Sequence, residues 1–361
     1  MKATLLVRRA KGAAVFDLQA ESAALARGEG ARFSALDGAR VLVTGATGLV
    51  GSHIARFLLE RNRELGAGTR LVALVRDEGR ARRVLDGYGE ADGLSFAVGD
   101  VSTFADKDLA CDYIVHCAAP TASAFFSARP IETILTIVDG AYCMLELARA
   151  QDAVLVCLSS MEVYGDGNAE AGLAHKLGER DLGYLDPLAV RSCYPQSKRM
   201  AEQMAAAYAA EHGVRAKSVR LSQCFGPGVP KDDGRVFSQF ARAALAGDDI
   251  VLKTSGASTR MYCDVSDAVT GVLTVLLRGV DGMAYNVANE ATYCSVKEMA
   301  GLVVAQLGDG RTRVRVEVDP DAPYPPEHHL PLDTSAVRAL GWRPVHGLSD
   351  MYARLAAWLQ G

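Results

Sequence analysis

The run Val41-Leu42-Val43-Thr44-Gly45-Ala46-Thr47-Gly48-Leu49-Val50-Gly51 constrains this chain more than any other. An apolar strand ends, glycines recur at every third residue, and an apolar helical segment begins. Glycine lets the backbone turn tightly and approach a pyrophosphate, which then lies at the positive end of the next helix. The run therefore predicts a dinucleotide site, with Gly45, Thr47, Gly48, Leu49, Val50 and Gly51 around the phosphates. A bare structural turn would need neither the strand before it nor the helix after it.

The surroundings carry the same rhythm. Short β-type runs occupy 40–44, 71–75, 94–98, 113–117, 154–158 and 216–221, and helix-period segments occupy 50–63, 131–150 and 196–212. Short buried strands alternating with helices imply βαβ units. The expected class is α/β: a Rossmann doubly wound parallel sheet with a smaller C-terminal α/β substrate-binding lobe. The expected division is an N-terminal extension over 1–37, an NAD(P)-binding domain over 38–225, and a lobe over 226–361 interleaved with the last Rossmann strands. In the extension, Val15 to Ala26 reads as a short amphipathic helix, a packing or oligomer arm. Gly226-Pro227-Gly228 opens a looser region, and Pro320, Pro323, Pro325, Pro326 and Pro331 favour loops.

Bulk properties exclude other classes. The net charge is −4, without the basic face a nucleic-acid footprint needs. No apolar run reaches the ~18 residues of a membrane span, and no signal peptide opens the chain. The eight cysteines include no Cys-x-x-Cys pair, so no metal site is expected and cytoplasmic, reduced thiols are. His116 reads as a satisfied strand-end histidine, Asp232-Asp233 as a solvated loop, and Met200 with Met204 as core. His328-His329 beside Glu327 is the only metal-like cluster, and it shows no supporting ligand pattern.

Further cofactor contacts follow from strand ends. Arg76 and Asp77 close the second strand; an arginine there suits the extra phosphate of NADP, so NADP is favoured over NAD. Asp100 and Val101 stand where the adenine lies, and Ala118, Ala119 and Pro120 where the ribose and diphosphate pass. Ser159-Ser160-Met161-Glu162 follows the fifth strand. Tyr194 and Lys198, four residues apart, share one helix face. A tyrosine is a poor base at its free pKa of ~10, and an adjacent ammonium favours tyrosinate. Ser160 would hold the substrate oxygen.

Together these segments resemble the extended short-chain dehydrogenase/reductases that modify nucleotide sugars, the NAD-dependent epimerase/dehydratase group. The resemblance runs from about residue 39 nearly to the end. It includes the glycine loop, Asp100, Ser160, Tyr194, Lys198, Phe225-Gly226-Pro227, Arg260 before Asp264-Val265-Ser266-Asp267, Tyr285-Asn286-Val287 and Leu340-Gly341-Trp342-Arg343-Pro344. It implies bound NAD(P), a nucleotide-diphosphate sugar as substrate, a homodimer through the helices 131–150 and 196–212, and Arg260 on the diphosphate. Glu162 resembles the carboxylate of members that work near C5, the dehydratases and uronate decarboxylases, although Met161 replaces the acid often found before it. Asp186-Pro187-Leu188-Ala189-Val190-Arg191-Ser192-Cys193-Tyr194, Asp232-Asp233-Gly234-Arg235-Val236 and Thr259-Arg260 resemble the UDP-glucuronate decarboxylase branch most closely. That resemblance implies catalytic Ser160, Glu162, Tyr194 and Lys198, with Met161, Arg191, Gln223, Arg235 and Arg260 along the substrate. Gln223 replaces the usual asparagine and Arg76 the usual acid. Dehydration, 4-epimerisation and NADPH-dependent carbonyl reduction stay open at this point. A non-catalytic dinucleotide sensor would have no use for Ser160, Tyr194 and Lys198.

Overall fold

The computed structural model describes residues 7–10, 13–167, 175–319 and 327–361. Strands β1 (Val7–Ala10) and β2 (Ala13–Phe16) pair antiparallel and lead into α1 (Leu18–Glu29). Strands and helices then alternate: β3 (Arg40–Thr44), α2 (Leu49–Leu65), β4 (Arg70–Val75), α3 (Glu78–Val84), β5 (Leu94–Val98), β6 (Tyr113–His116), a short α4 (Ser123–Ala128), α5 (Pro130–Gln151), β7 (Val154–Ser160), α6 (Cys193–His212) and β8 (Ala216–Leu221). The rest holds β9 (Gln223–Phe225), α7 (Val236–Ala246), β10 (Ile250–Leu252), β11 (Thr259–Asp264), α8 (Val265–Arg278), β12 (Ala284–Val287), β13 (Asn289–Ser295), α9 (Val296–Leu307), β14 (Val314–Val316), β15 (His329–Leu330), α10 (Ser335–Ala339) and α11 (Leu348–Gln360).

Seven parallel strands form the central sheet in the order β12-β8-β7-β6-β3-β4-β5. The chain winds outward from β3 to β5, then returns to β6 and winds the other way. The reversal between β3 and β6 opens a crevice at the carboxyl ends of the strands, where ligands bind in such sheets. Strand residues alternate between two cores. Val41, Val43, Val115 and Val156 face α2 and α8, while Leu42, Ile114 and Leu155 face α5 and α6. Both faces are covered, which is why these strands read as continuous apolar runs.

A smaller layer rises over the carboxyl edge. β9, β11, β13 and β15 form its sheet, and Phe225, Phe237, Tyr262, Met299 and Tyr352 fill its core. Among the described residues, no helix is long and apolar enough to cross a membrane.

Two expectations need correction. Val15 and Phe16 belong to β2, and the first helix starts only at Leu18, where Asp17 caps it by accepting from the amides of Gln19 and Ala20. β7 runs on to Ser160, carrying it directly into the site. Pro320, Pro323, Pro325 and Pro326 lie outside the described residues, while Pro331 directly follows β15.

The extension packs against the body. α1 lies along α2, Phe33 and Leu36 enter the main core, and the buried Arg61 of α2 donates to the Gly30 carbonyl at 3.0 Å. Glu21 pairs with Arg354 of α11, which also meets Asp264 at 3.1 Å. One buried ion network thus ties the first helix to the last.

Candidate active site

Local geometry explains the three glycines. Gly45 has φ of 66°, and a Cβ there would meet the Ala118 amide nitrogen at 2.8 Å. A Cβ on Gly51 would meet the Gly45 carbonyl oxygen at 2.3 Å. Only glycine lets β3, α2 and the strand end at Ala118 approach so closely. Gly48 caps α2 without a side chain, leaving the helix's first amides to a ligand. This bare, positive helix end at the crevice fits a dinucleotide pyrophosphate, with Thr47, Leu49 and Val50 around it. Ala118, with Ala119 and Pro120 after it, forms the opposite wall, and its amide donates to Thr44 Oγ1 at 3.1 Å. Thr44 Oγ1 also lies 2.8 Å from His116 Nδ1, and burial, helped by Lys198, pushes the imidazole down to about 3. His116 is therefore a neutral, satisfied strand-end residue, as expected.

The strand ends beyond the glycine loop are occupied as follows. Asp77 caps α3 by accepting from the Arg80 amide at 2.9 Å, so its carboxylate is engaged there. Arg76 stands 71% exposed at the end of β4, with Nη1 3.9 Å from Asp100. Asp100 accepts from the amide and hydroxyl of Ser102, which with Arg76 holds its carboxyl below the usual range. Val101 is buried behind it.

The catalytic candidates meet around the end of β7 and the first turn of α6. Tyr194 and Lys198 are both buried, and Ser160 lies near enough to the Tyr194 phenol to favour its charged form. Burial first, and Glu162 second, raise the phenol, while Ser160 and Arg191 oppose them. Lys198 sits 5.9 Å from the Tyr194 ring centroid, and its Nζ donates to the Leu158 carbonyl at 2.6 Å. Burial pushes this lysine down to about 8. The expected lowering of Tyr194 by the ammonium is not expressed in this geometry, because the cation is turned to a carbonyl.

Glu162 and Arg191 form the mouth. Arg191 Nη2 donates to Glu162 Oε2 at 2.8 Å. Its guanidinium lies 4.9 Å over Phe126, and Phe126 stacks on Tyr194 with centroids 4.3 Å apart. Met161 is buried away from this floor, among Leu177, Met261 and Leu330. Sequence reasoning misses Phe126 because one aromatic in a short loop helix has no periodic signal.

The remaining candidates sit on the upper layer. Gln223 is in register with Tyr262 on β11, two residues past Arg260. Arg260 Nη2 lies 3.1 Å from His328 Nε2, and its buried Nε has no hydrogen-bond partner among the described residues. Arg235 is bound through Nε and Nη2 to Asp233, at 2.6 Å for the shortest contact. That corrects the solvated-loop expectation: the Asp233 side chain is only 10% exposed because it is held by Arg235. Met200 is also corrected. It is 50% exposed, since α6 turns Met204, not Met200, toward α5. His329 lies 2.9 Å from Thr259 Oγ1 and 3.3 Å from Glu327.

Comparison with known proteins agrees with this geometry. The NAD dependent epimerase/dehydratase family matches residues 41–288. The chain belongs to that family. It is 31% identical over 316 residues to UDP-glucuronic acid decarboxylase 5 of Arabidopsis thaliana, covering 84% of each. It is likewise 31% identical to UDP-glucuronic acid decarboxylase 1 of Xenopus tropicalis, covering 87% of this chain and 70% of that one. Among solved structures, a dTDP-glucose 4,6-dehydratase from Streptomyces venezuelae with NAD bound superposes with a TM-score of 0.71 at 24% identity, covering 88% of this chain and 96% of that one. An epimerase from Methanothermobacter thermautotrophicus gives 0.75 at 24%, covering 91% and 94%. The family's fold is the extended short-chain dehydrogenase fold seen here, and its cofactor is NAD(P).

Proposed function

We propose that this enzyme is a redox-neutral nucleotide-sugar lyase that decarboxylates UDP-glucuronate. The carrying observation is a carboxylate, Glu162, whose amide donates to Ser160 Oγ at 3.2 Å and whose side chain is held by Arg191 over the Phe126–Tyr194 stack. Oxidation at C4 alone needs no such group; chemistry at C5 does. The curated relatives over most of the chain point the same way.

NAD(P), held by the Gly45–Gly51 loop at the start of α2, would supply the hydride acceptor, and later the donor, for C4. Ser160 holds the C4 oxygen, and Tyr194 receives the hydroxyl proton as C4 becomes a ketone. The phenol must first be lowered, which Lys198 would do by turning its ammonium from the Leu158 carbonyl toward Tyr194 and the bound cofactor. A 4-keto uronate is a β-keto acid, so its carboxyl carbon leaves as carbon dioxide and the electron pair stays as an enolate on O4. Glu162 then handles the proton that C5 takes up. Tyr194 returns its proton to O4 as C4 is reduced. Arg260, whose Nε has no partner among the described residues, holds the diphosphate, a task suited to a guanidinium fork. Gln223 lies on the neighbouring strand, where its amide reaches the same groups. Arg235, already neutralised by Asp233, has a lesser part.

Three finer readings accompany this one. With Asp77 engaged as a helix cap and Arg76 exposed, paired only at 3.9 Å with Asp100, an adenosine ribose at this strand end would meet a cation, which favours NADP. Ile131, Leu135 and Tyr142 form an exposed apolar stripe on α5, at 66%, 48% and 50%, beside Met200 on α6. We read this as the face that pairs two copies. All eight cysteines are unpaired, in keeping with a reduced, cytoplasmic setting.

The test is mass spectrometry of UDP-glucuronate and of neutral nucleotide hexoses after incubation with enzyme, without added reductant. Loss of carbon dioxide from the uronate is the expected result. Loss of water from a hexose would make the enzyme a dehydratase. Unchanged masses throughout would remove the lyase reading.

A further inference from the structure

Several arginines surround the site, and most are already committed. Arg199 donates to the carbonyls of Val163 and Gly183 at 2.8 and 2.6 Å. Arg220 is buried against Glu202 at 2.7 Å and also reaches the Tyr164 hydroxyl. Arg235 is closed by Asp233. Arg260 stands on the upper layer beside His328.

Arg191 differs. It is 43% exposed, and its partner Glu162 is 33% exposed. Among the described residues its hydrogen bonds, to Glu162 at 2.8 Å and to Ser123 Oγ at 3.4 Å, both use Nη2, so Nε and Nη1 stay open to another oxygen. Phe126 fixes the plane of the guanidinium and ties it to the Tyr194 ring. In a uronate whose O4 lies at Tyr194, the carboxyl is borne by C5, the carbon next to C4, within a few ångströms of that oxygen.

We propose that Arg191 reads the acid group of the substrate, and that Glu162 occupies its place until the substrate arrives. This rests on the decarboxylase reading. A solvent-exposed, single-contact ion pair is weak, so exchange costs little. A two-point carboxylate contact is stronger than the pair it replaces. Exchange also frees Glu162 from its cation next to C5, where it has a proton to handle. A neutral hexose offers nothing to displace Glu162 and leaves the pair closed. Because the carboxylate is held before it leaves, Arg191 acts mainly on ground-state binding, and its loss should raise KM more than it lowers kcat.

The experiment measures binding of UDP-glucuronate, UDP-glucose and UDP to the holoenzyme, with KM and kcat for the uronate, in wild type, Arg191→Met and Arg191→Lys. Wild type should prefer the uronate to the hexose by roughly tenfold to hundredfold. Arg191→Met should lose that preference and keep its affinity for UDP; Arg191→Lys should keep part of it. A preference that survives in Arg191→Met, or a fall in kcat with KM unchanged, overturns the inference and leaves the decarboxylase reading standing. Carbon dioxide release by a wild type without any preference does the same. Neither preference nor carbon dioxide release in wild type overturns both.

Discussion

Two buried cations set the active site against the seam between the chain's ends. Arg354 lies between Glu21 and Asp264, and those carboxylates raise its proton affinity despite burial. Lys198 is as deeply buried, yet it has a backbone carbonyl for a partner and its pKa falls to about 8. The seam matches charge with opposite charge. The active site holds a cation at a cost, because a fully paired lysine could not turn to a cofactor ribose and a phenol. The contrast separates groups that hold the fold from groups kept ready for chemistry.

The largest expected effect tests the site itself. Tyr194→Phe should lower turnover by about 10²–10⁴-fold while cofactor stays bound, measured by product formation and by the cofactor retained after gel filtration. Normal turnover would remove Tyr194 from its role. Next is the seam. Arg354→Met leaves Glu21 buried without its cation and Asp264 with only Ser266 and His346, and should cost about 3–5 kcal/mol in denaturant unfolding. A loss under ~1 kcal/mol would show that the network is not what fastens α1 to α11.

Lys198→Met should go the other way, stabilising the protein while abolishing turnover. Its folded pKa lies below its unfolded one, so the folded state binds fewer protons between about pH 8 and 10.5. The penalty is full below about pH 8 and fades as pH rises to 10.5, so wild-type stability climbs relative to the variant across that window. At pH 7 the gain should be on the order of 3 kcal/mol, less the lost Leu158 contact, since each tenfold change in proton affinity is worth ~1.4 kcal/mol. A destabilised variant with no pH trend would erase the contrast with Arg354. Glu162→Gln comes next: carbon dioxide release should fall roughly tenfold to hundredfold. Unchanged release would refute the C5 argument. The smallest effect is at the rim. Arg76→Ala should shift the NADP-to-NAD ratio of binding constants toward NAD by about tenfold, since one exposed charge-assisted contact is lost. An unmoved ratio would place the selectivity elsewhere.

The same comparison shows what the sequence made legible. The glycine loop, Tyr194 and Lys198 are local patterns whose physical reasons act within a few residues, so they can be read before any fold exists. The parallel sheet was readable too, since strands buried on both faces must be apolar throughout. The seam was not, because Glu21 and Arg354 are 333 residues apart and nothing near either one signals the other. Phe126 was hidden for a related reason: its role comes from Tyr194, which tertiary packing places against it. Met200 misled because it shares helical spacing with Met204, while the packing of α5 on α6 buries only one of them. Asp233 misled because a bidentate partner two residues away can bury a loop carboxylate.

The most direct measurement is the mass of the product made from UDP-glucuronate carrying deuterium at C4, with no reductant added. The account predicts a product lighter by carbon dioxide that retains the deuterium, because the hydride removed from C4 returns to it. An unchanged substrate, or a decarboxylated product that has lost the label, would contradict it.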